Sequence, residues 1–413
     1  MEAATTPTTL DIRADFPIFA REIDGRRLIY LDSAATSQKP SSVIEAMDDY
    51  YRRHNAPVHR SVYTLAEEAT ERFEGARARI AAFVGSEPAT TILTRNATEA
   101  INLVAYAWGR GNVGPGDVVL LTEMEHHSNI VPWQLLCEET GAELRWLDVD
   151  EDGALSLDQL DSELVSGRVR LAAFAHVSNV LGTINPVADM VARVHAAGAL
   201  ALIDGSQAVP QLPVDLAAID ADFYAWTGHK ALGPTGIGIL HGRLEILQAM
   251  RPFIAGGHMI RTVGRERSTW ADVPAKFEAG TGNVAEGVGL GAAVDYLEAL
   301  GMDRVRAHER ELVRHALERL DAIPGVRVLG PPAAEDRGGV VSFAVDGMHP
   351  HDVSELINRE AVCVRAGHHC AQPLMRRLGV PATARASFGP YNVPADVDAL
   401  ASALENARSV FAL

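Results

Sequence analysis

Residues 199–240 read ALALIDGSQAVPQLPVDLAAIDADFYAWTGHKALGPTGIGIL and contain three short apolar runs: Ala199–Ile203, Phe223–Trp226 and Gly236–Leu240. Four earlier runs are of the same kind and are separated by helix-like stretches: Thr91–Leu93, Val118–Leu121, Glu143–Leu147 and Leu171–Phe174. Continuous apolar runs that alternate with helices are typical of a mostly parallel sheet covered on both faces. The sequence therefore predicts an α/β fold with a mostly parallel, seven-stranded sheet.

The chain of 413 residues is long enough for one large core and a smaller second one. We place a large domain at residues 27–300 and a small α+β domain at residues 301–413. The small domain contains three strand-like runs among helices: Val340–Val345, Val362–Val364 and Ala386–Phe388. Residues 1–26 form an N-terminal segment that we expect to pack on the small domain. Residues 253–283 lack strong periodicity and are long enough to form a functional flap.

The composition excludes several classes of function. The chain has 37 basic and 54 acidic residues, and the resulting net charge of −17 argues against nonspecific binding to nucleic acid or an anionic membrane. Its three cysteines, Cys137, Cys363 and Cys370, are too few for a disulfide framework, and no CxxC pair indicates a metal cage. The first ten residues lack a secretory signal, and no apolar stretch is long enough to span a membrane. We therefore expect a cytoplasmic protein.

Lys230 follows the apolar run Phe223–Trp226 and precedes the glycine-rich stretch GPTGIG at residues 233–238. A lysine between a buried strand and such a turn lies close to apolar walls, where desolvation lowers its pKa and leaves an amine that attacks carbonyl carbons. A lone lysine in a loop is more often simply solvated. The choice between a Schiff-base lysine and a solvated one therefore depends on partners elsewhere in the chain.

Polar side chains follow other strands, at the edge where ligands collect in sheets of this kind. Asp204 ends the run Ala199–Ile203, one strand–helix–strand unit before Lys230, so neighbouring strands would bring the two together. Its carboxylate is either a turn former or a partner that keeps a pyridinium nitrogen protonated, which lets pyridoxal phosphate (PLP) act as an electron sink. Asn179 and Gln207 also lie just past strands and can donate to a ring oxygen or a substrate carboxylate.

Two further strand ends carry groups that suit the same cofactor. Thr98 opens a helix, where its hydroxyl either caps the helix or joins the free amides in a phosphate site that Thr227 and His229 would complete. His126 and His127 lack the spacing of common metal ligands, and a flat imidazole over a pyridine ring is the better use of His126. A threonine, a histidine, an aspartate and a lysine at four strand ends together favour a PLP site and no metal.

Cys370 lies in the segment RAGHHCA at residues 365–371, whose polar residues and glycine indicate a loop. Nearby positive charge would favour its thiolate, so Cys370 is predicted to be a nucleophile. Cys137 and Cys363 are expected to be packing residues in a helix and a strand. A metal site at the loop is disfavoured because adjacent residues cannot readily share one tetrahedral ion. Arg385 is either a surface charge or a bidentate clamp for a carboxylate.

The chain resembles the Suf-type (group II) cysteine desulfurases, in the class V branch of the fold-type I PLP enzymes. The resemblance extends from about Leu28 to Val410 and is carried by segments in matching order and spacing: LDSAATSQKP, VHR, NATEAINL, EHHSNIVPW, HVSNVLG, DGSQAVP, GHKALGPTGIG, FEAGTGN, RAGHHCAQPLM and ARASF. It implies a fold-type I PLP-dependent transferase with a large PLP-binding domain and a small domain that carries the persulfide cysteine.

The resemblance also implies roles for individual residues. Lys230 would hold PLP and shuttle protons, and Cys370 would attack the substrate sulfur. Further cofactor contacts would come from Asp204 at the ring nitrogen, His126 on the ring, Gln207 at the phenolic oxygen, Ala97, and Thr98, Thr227 and His229 at the phosphate, with Thr281 reaching over from a second subunit. Substrate contacts would come from Arg385 and Asn179 at the carboxylate and from Ala35, His59 and Arg365.

The implied reaction converts L-cysteine to L-alanine, with a persulfide on Cys370 that passes its sulfur to an acceptor protein of the Suf system for iron–sulfur cluster assembly. The implied assembly is a homodimer. Selenocysteine lyase and a C–S lyase that forms no protein persulfide are the alternatives on the same fold. A non-catalytic sulfur carrier or cluster scaffold is the alternative from another class, although clusters typically need four cysteine ligands.

Overall fold

The computed structural model describes residues 10–410. Residues 1–9, which begin the predicted N-terminal segment, lie outside the described residues. The strands are β1 (Glu22–Ile23), β2 (Arg26–Arg27), β3 (Ile29–Tyr30), β4 (Thr91–Thr94), β5 (Val118–Thr122), β6 (Glu143–Leu147), β7 (Val169–Ala175), β8 (Leu200–Asp204), β9 (Phe223–Thr227), β10 (Gly238–Gly242), β11 (Ile260–Val263), β12 (Ser268–Trp270), β13 (Val326–Leu329), β14 (Val340–Val345), β15 (Val362–Cys363), β16 (Arg365–Gly367) and β17 (Thr383–Ser387).

The α-helices alternate with these strands over most of the chain. They are α1 (Ser41–Asp49), α2 (Thr64–Phe83), α3 (Ala97–Val104), α4 (Arg110–Asn112), α5 (Val131–Thr140), α6 (Leu157–Leu164), α7 (Val187–Ala196), α8 (Leu216–Ile219), α9 (Leu244–Ala249), α10 (Val284–Leu300), α11 (Met302–Asp321), α12 (Pro350–Asn358), α13 (Gln372–Arg377) and α14 (Pro394–Val410). None of those within residues 10–410 combines the length and apolar character needed to cross a membrane.

The central sheet has seven strands in the order β4-β10-β9-β8-β7-β5-β6. The strands from β9 through β8, β7 and β5 to β6 are parallel to one another, whereas β10 is antiparallel to both of its neighbours. Each of the seven predicted apolar runs overlaps one of these strands. The predicted α/β fold with a mostly parallel seven-stranded sheet is therefore confirmed.

Alternate residues of a single strand face two separate cores, which explains why the runs are continuously apolar. Along β9, Tyr224 and Trp226 pack in the core that contains α7 and α10. Phe223 and Ala225 face the opposite core, formed with α3 and α5. All five residues of β9 are buried. The sheet is thus covered on both faces at β9.

A second sheet of four strands, in the order β13-β14-β17-β16, is antiparallel throughout. It packs with α11, α12 and α14 around its own core. β3 pairs with β15 in parallel, so the residues just before Asp32 lie beside this second core. Gly301, with φ 82°, separates α10 from α11 next to the predicted boundary at residue 300. The division at residues 27 and 300 stays a prediction.

The described part of the N-terminal segment contacts both cores. The amide of Leu10 donates to Nδ1 of His308 at 3.2 Å, and the guanidinium of Arg13 pairs with Asp396 at 3.2 Å. Phe16 lies edge-on to Tyr296 of α10, with ring centroids 5.9 Å apart. The described part of the segment therefore packs on α11 and α14 and also on the large core, and its assignment to the small domain stays a prediction.

Residues 253–283 contain a hairpin of β11 and β12 that sequence periodicity did not indicate. Its strands are mostly exposed, so they lack the alternation of buried and polar residues that marks a strand in sequence. The end of the segment is tied to the sheet by Glu278, which accepts from the amide of Leu93 at 2.7 Å and from the buried Arg77 at 2.6 Å. Whether the segment moves as a flap stays a prediction.

The pair formed by Arg77 and Glu278 predicts a large loss of stability when Arg77 is removed. The Arg77 side chain is only 3% exposed and that of Glu278 is 10% exposed. Arg77→Met would leave a buried carboxylate without its partner, at a cost of about 3–5 kcal/mol in the free energy of unfolding. Arg79→Met, on the same helix, removes an exposed pair with Asp295 and should cost about 1 kcal/mol or less. Urea unfolding measures both, and equal losses would contradict the prediction.

Candidate active site

A pocket opens at the carboxyl ends of the central strands, where the second sheet approaches them. Most of the predicted site residues line it together: Ala35, Ala97, Thr98, His126, Asn179, Asp204, Gln207, Thr227, His229, Lys230, Arg365 and Arg385. Cys370 lies beside it, next to Arg365, while His59 and Thr281 are not among the lining residues of this chain. No cluster of three or more metal-ligating side chains occurs within residues 10–410.

Lys230 ends a single helical turn, Gly228–Lys230, that directly follows β9. The turn requires glycine at position 233, because a Cβ there would lie 2.9 Å from the carbonyl oxygen of Gly228. Burial lowers the pKa of Lys230 to about 8, although the carboxylate of Asp204 raises it. Arg385 and Arg365 lower this pKa further. Near neutral pH a fraction of the amine is therefore uncharged and able to attack a carbonyl carbon.

Asp204 ends β8, the strand next to β9, and Gln207 lies in the turn that follows it. The register pairs Asp204 with Ala225, which places this carboxylate one strand away from the lysine turn. Asp204 is 8% exposed, and its Oδ1 accepts from the amide of Ser206 at 3.0 Å. The side-chain amide of Gln207 donates to the carbonyl of Ala34 at 2.9 Å. A buried carboxylate facing the pocket suits a cationic ring nitrogen.

The opposite wall of the pocket is built from the start of α3 and the end of β9. Asn96, not Thr98, caps α3, since its side chain accepts from the amide of Glu99 at 2.9 Å. The hydroxyl of Thr98 instead pairs with that of Ser128 at 2.6 Å. Thr227 is buried, and within residues 10–410 its Oγ1 has no hydrogen-bond partner. Free helix amides and the unpaired hydroxyl of Thr227 form the kind of wall that binds a phosphate.

The imidazole of His126 is neutral. Burial, and next the charge of Lys230, lower its pKa to about 3. The amide of Ser128 donates to Nδ1 of His126 at 3.1 Å, so the ring proton must be on Nε2. Burial likewise lowers the pKa of His229 to about 4. Neither histidine adds positive charge to the pocket near neutral pH.

The second sheet contributes two arginines that lie opposite each other on β16 and β17, Arg365 and Arg385. Arg385 is 1% exposed and donates to Oδ1 of Asp32 at 3.0 Å and to the carbonyl of Asn179 at 2.9 Å. Burial lowers the pKa of Arg385 and raises the pKa of Asp32, so desolvation outweighs the attraction within the pair. The pocket lining has three basic side chains, Lys230, Arg365 and Arg385, against the single carboxylate of Asp204, which favours an anionic ligand such as a carboxylate.

Cys370 lies on the loop after β16, 3.8 Å from a guanidinium nitrogen of Arg365. Burial raises the pKa of Cys137 to about 11 and also raises that of Cys363. Cys370 is partly exposed, and its charge also acts on Lys230. The described geometry thus brings one accessible thiol and one amine to the same pocket.

His59 and Thr281 lie close to each other at another place on the surface. The ring of His59 stacks on that of His258 at 4.9 Å, and its Nε2 is 2.7 Å from Glu74. Gly280, next to Thr281, donates its amide to the carbonyl of Gly257, next to His258, at 2.9 Å. The segments of these two predicted residues therefore form one exposed patch outside the pocket of their own chain.

Several pocket residues were not singled out in the sequence. Asp32 lies inside the quoted segment LDSAATSQKP and binds Arg385 beside the pocket. Because it follows no strand of the central sheet, it was not among the residues predicted from the ends of those strands. Ser128 and Ser206 follow His126 and Asp204 by two residues, and their only signal was this position after a strand. His369 lines the pocket too, with Nε2 held 2.9 Å from Oγ1 of Thr383.

Known proteins are similar to this chain in sequence and in fold over nearly its whole length. The family described as Aminotransferase class-V matches residues 29–400. A protein of Streptomyces coelicolor named as a probable cysteine desulfurase is 50% identical over 406 residues, which cover 97% of each chain. The apo structure of a cysteine desulfurase from Thermococcus onnurineus NA1 is 36% identical with a TM-score of 0.92, covering 99% of this chain and 100% of that one.

A crystal structure of the cysteine desulfurase CsdA from Escherichia coli, in an S-sulfonic acid form, is 38% identical with a TM-score of 0.89 and covers 97% of this chain and 98% of that one. These likenesses confirm the predicted fold-type I architecture and the resemblance to cysteine desulfurases. The chain belongs to the class V aminotransferase family, among its cysteine desulfurases.

Proposed function

We propose that the pocket carries out the PLP-dependent desulfuration of L-cysteine, with Lys230 as the cofactor lysine and Cys370 as the group that receives the sulfur. One observation carries the proposal: an amine with a pKa lowered to about 8 and an accessible thiol beside Arg365 meet at one pocket. The amine comes from the central sheet and the thiol from the second sheet.

The pocket fits PLP at each of its ends. Asp204 is a buried carboxylate opposite the lysine turn, and Thr227 presents a buried hydroxyl that is unpaired within the described chain. We assign the ring nitrogen to Asp204, the phenolic oxygen to Gln207 and the ring face to His126. We assign the phosphate to Thr98, Thr227, His229 and the amide of Ala97. The partial positive charge at the start of α3 favours a bound anion there. Lys230 would bind the aldehyde carbon.

When bound, PLP withdraws electrons from the substrate and so acidifies its Cα–H bond. Lys230, once displaced by the substrate amine, takes the Cα proton, because its lowered pKa leaves it a base near neutral pH. Arg385 holds the substrate carboxylate by its planar guanidinium, together with Asn179. We expect Ala35 and Arg365 to complete the substrate contacts, since both line the same wall.

The sulfur leaves by attack of the Cys370 thiolate on the substrate sulfur. An S–S bond forms while the Cβ–S bond breaks, and its electron pair stays with the carbon skeleton, which takes up protons to become alanine. Arg365, 3.8 Å from the thiol, stabilises the thiolate before the attack. Cys370 is left as a persulfide.

The persulfide needs an acceptor, and we propose a protein partner of the Suf system that serves iron–sulfur cluster assembly. The partial exposure of Cys370 supports direct transfer to a thiol of that partner. We also propose a cytoplasmic location, because a catalytic thiol has to stay reduced and the cytosol keeps thiols reduced. The proposed acceptor and the proposed location are both more specific than cysteine desulfurase activity itself.

Replacing Lys230 and Cys370 separately tests the proposed division of labour. Lys230→Ala should lose the visible band of the lysine-linked cofactor and all alanine formation. Cys370→Ala should keep the band and lose alanine formation from L-cysteine, whereas Cys363→Ala should keep both. Absorbance spectra and alanine assays measure these outcomes. Full turnover in Cys370→Ala would instead indicate a C–S lyase, and turnover on L-selenocysteine far above L-cysteine would indicate a selenocysteine lyase.

The pKa of Lys230 predicts a specific pH dependence in the apoprotein. A lysine is charged below its pKa and nucleophilic above it, so labelling of Lys230 by an amine reagent should rise as the pH passes about 8. Asp204 raises this pKa, so Asp204→Asn should move the midpoint to lower pH. Asp220→Asn, at an exposed carboxylate, should leave it in place. Peptide mass spectrometry measures the labelling, and a midpoint above 10 would exclude the proposed environment.

We propose that the protein is a homodimer in which the patch of His59 and Thr281 completes the pocket of the partner subunit. The position of both residues outside their own pocket supports this arrangement. Co-expression of Lys230→Ala with the double variant His59→Ala, Thr281→Ala should restore about a quarter of the wild-type activity, because about half of the dimers are mixed and one of the two sites in each mixed dimer is intact. No recovery would mean that these residues do not act across subunits.

A further inference from the structure

The loop that carries Cys370 has an unfavourable backbone conformation. His369 has φ 52° and Cys370 has φ 58°, so two consecutive residues with side chains occupy the left-handed region. Such a conformation costs about 1–2 kcal/mol per residue, and it persists only where the surroundings hold it. The contacts that hold this loop therefore decide where the Cys370 thiol lies.

His127 supplies two of those contacts, one from its backbone and one from its side chain. Its amide donates to the carbonyl of Cys370 at 2.7 Å. Its Nε2 accepts from the amide of Gln372 at 3.1 Å. The two bonds enclose the cysteine on both sides, so the position of Cys370 relative to the central sheet depends on His127. Asn179 adds a third contact from that sheet, donating to the carbonyl of His369 at 2.7 Å.

The side-chain hydrogen bond satisfies a backbone amide, that of Gln372, which has no partner within the loop itself. Gln372 is the first residue of α13, and the amides at a helix start lack partners within the helix. The residue before it, Ala371, has no side-chain acceptor and makes no cap bond. The imidazole of His127 therefore acts as the missing cap, supplied from a distant part of the chain.

His127 is itself held rigidly. It begins the short helical turn His127–Asn129, and the amide of Asn129 donates to the carbonyl of His126 at 2.7 Å. Below the turn, the buried side chain of Asn129 donates to Glu125 at 2.7 Å and accepts from the indole of Trp133 at 2.9 Å. The same turn thus fixes His126 at the pocket and His127 at the cysteine loop.

The imidazole has to be neutral to perform this role, because only an unprotonated Nε2 accepts a hydrogen bond. Burial and the neighbouring His368 lower the pKa of His127, which favours the neutral form. The proton of the neutral ring is then on Nδ1. His368 is exposed, and among the described contacts it makes no side-chain hydrogen bond to the loop, so it offers a matched comparison.

We propose that His127 is a positioning residue for sulfur transfer, which fixes the Cys370 loop to the central sheet through Nε2 and the amide of Gln372. The inference rests on the proposed function, since it assumes that Cys370 takes the sulfur. His127 touches neither the reacting atoms nor the cofactor wall, so its effect is confined to the step that uses the thiol. Displacement of a reacting group by about 1 Å can lower a rate about a hundredfold.

The test separates the two halves of the reaction in the holoenzyme. Exchange of the Cα proton of L-alanine in D2O depends on Lys230 and needs no thiol, whereas alanine formation from L-cysteine needs Cys370. His127→Leu removes the acceptor, and His127→Gln offers an amide oxygen near the position of Nε2. His368→Gln is the control on the loop, and Cys370→Ala defines complete loss of sulfur transfer.

We expect alanine formation from L-cysteine to fall about tenfold or more in His127→Leu and to recover to within about threefold of wild type in His127→Gln. Proton exchange should stay within about twofold of wild type in both variants, and His368→Gln should be unchanged. Retained proton exchange in His127→Leu would show that its loss of sulfur transfer is not a failure to fold.

Normal sulfur transfer in His127→Leu, alongside none in Cys370→Ala, would overturn the inference alone. An equal loss of proton exchange and sulfur transfer in His127→Leu would also overturn it, because the residue would then support the whole pocket. Full sulfur transfer in Cys370→Ala would overturn the proposed function, and the inference with it.

Discussion

Lys230 and Cys370 lie at one pocket because two separately built sheets are fixed to each other, and the buried guanidinium of Arg385 makes one of the contacts that connect them. Arg385 stands on β17 of the second sheet and donates to the carbonyl of Asn179, which follows β7 of the central sheet. It also binds Asp32, whose backbone bridges to Ser387 of the same strand β17. The side-chain amide of Asn179 in turn holds the cysteine loop. One buried charge therefore links the two sheets, the thiol loop and the anion site.

The charge of the pocket is opposite to that of the protein as a whole. The chain carries a net charge of −17, but the pocket lining has Lys230, Arg365 and Arg385 against one carboxylate, that of Asp204. A site with uncompensated positive groups in a low-dielectric cleft attracts carboxylates and phosphates. The carboxylate of the amino acid substrate and the PLP phosphate both have this character, so one electrostatic feature would serve both ligands at the proposed site.

The central sheet and the groups at its strand ends could be predicted because both follow from local sequence. Buried strands are continuously apolar, and a parallel sheet places its carboxyl ends on one edge, which puts Asp204 and Lys230 together without further information. The hydroxyl of Thr98 was expected in a cap or phosphate role, and the structure assigns the cap to Asn96 instead. Asp32 and His127 could not be found this way, because their partners Arg385 and Gln372 are more than 200 residues away in sequence. His59 and Thr281 were found only through the resemblance, and their place outside the pocket depends on chain packing.

We propose that one thiol, that of Cys370, takes the sulfur in a pocket shared with Lys230. Mass spectrometry of the holoenzyme after brief exposure to L-cysteine, with exposed thiols trapped before digestion, tests it most directly. We expect one added sulfur atom on the peptide that contains Cys370, and we expect no added sulfur on this peptide in the Lys230→Ala variant. Added sulfur on the peptides of Cys137 or Cys363, or alanine formation with no protein-bound sulfur, would contradict it.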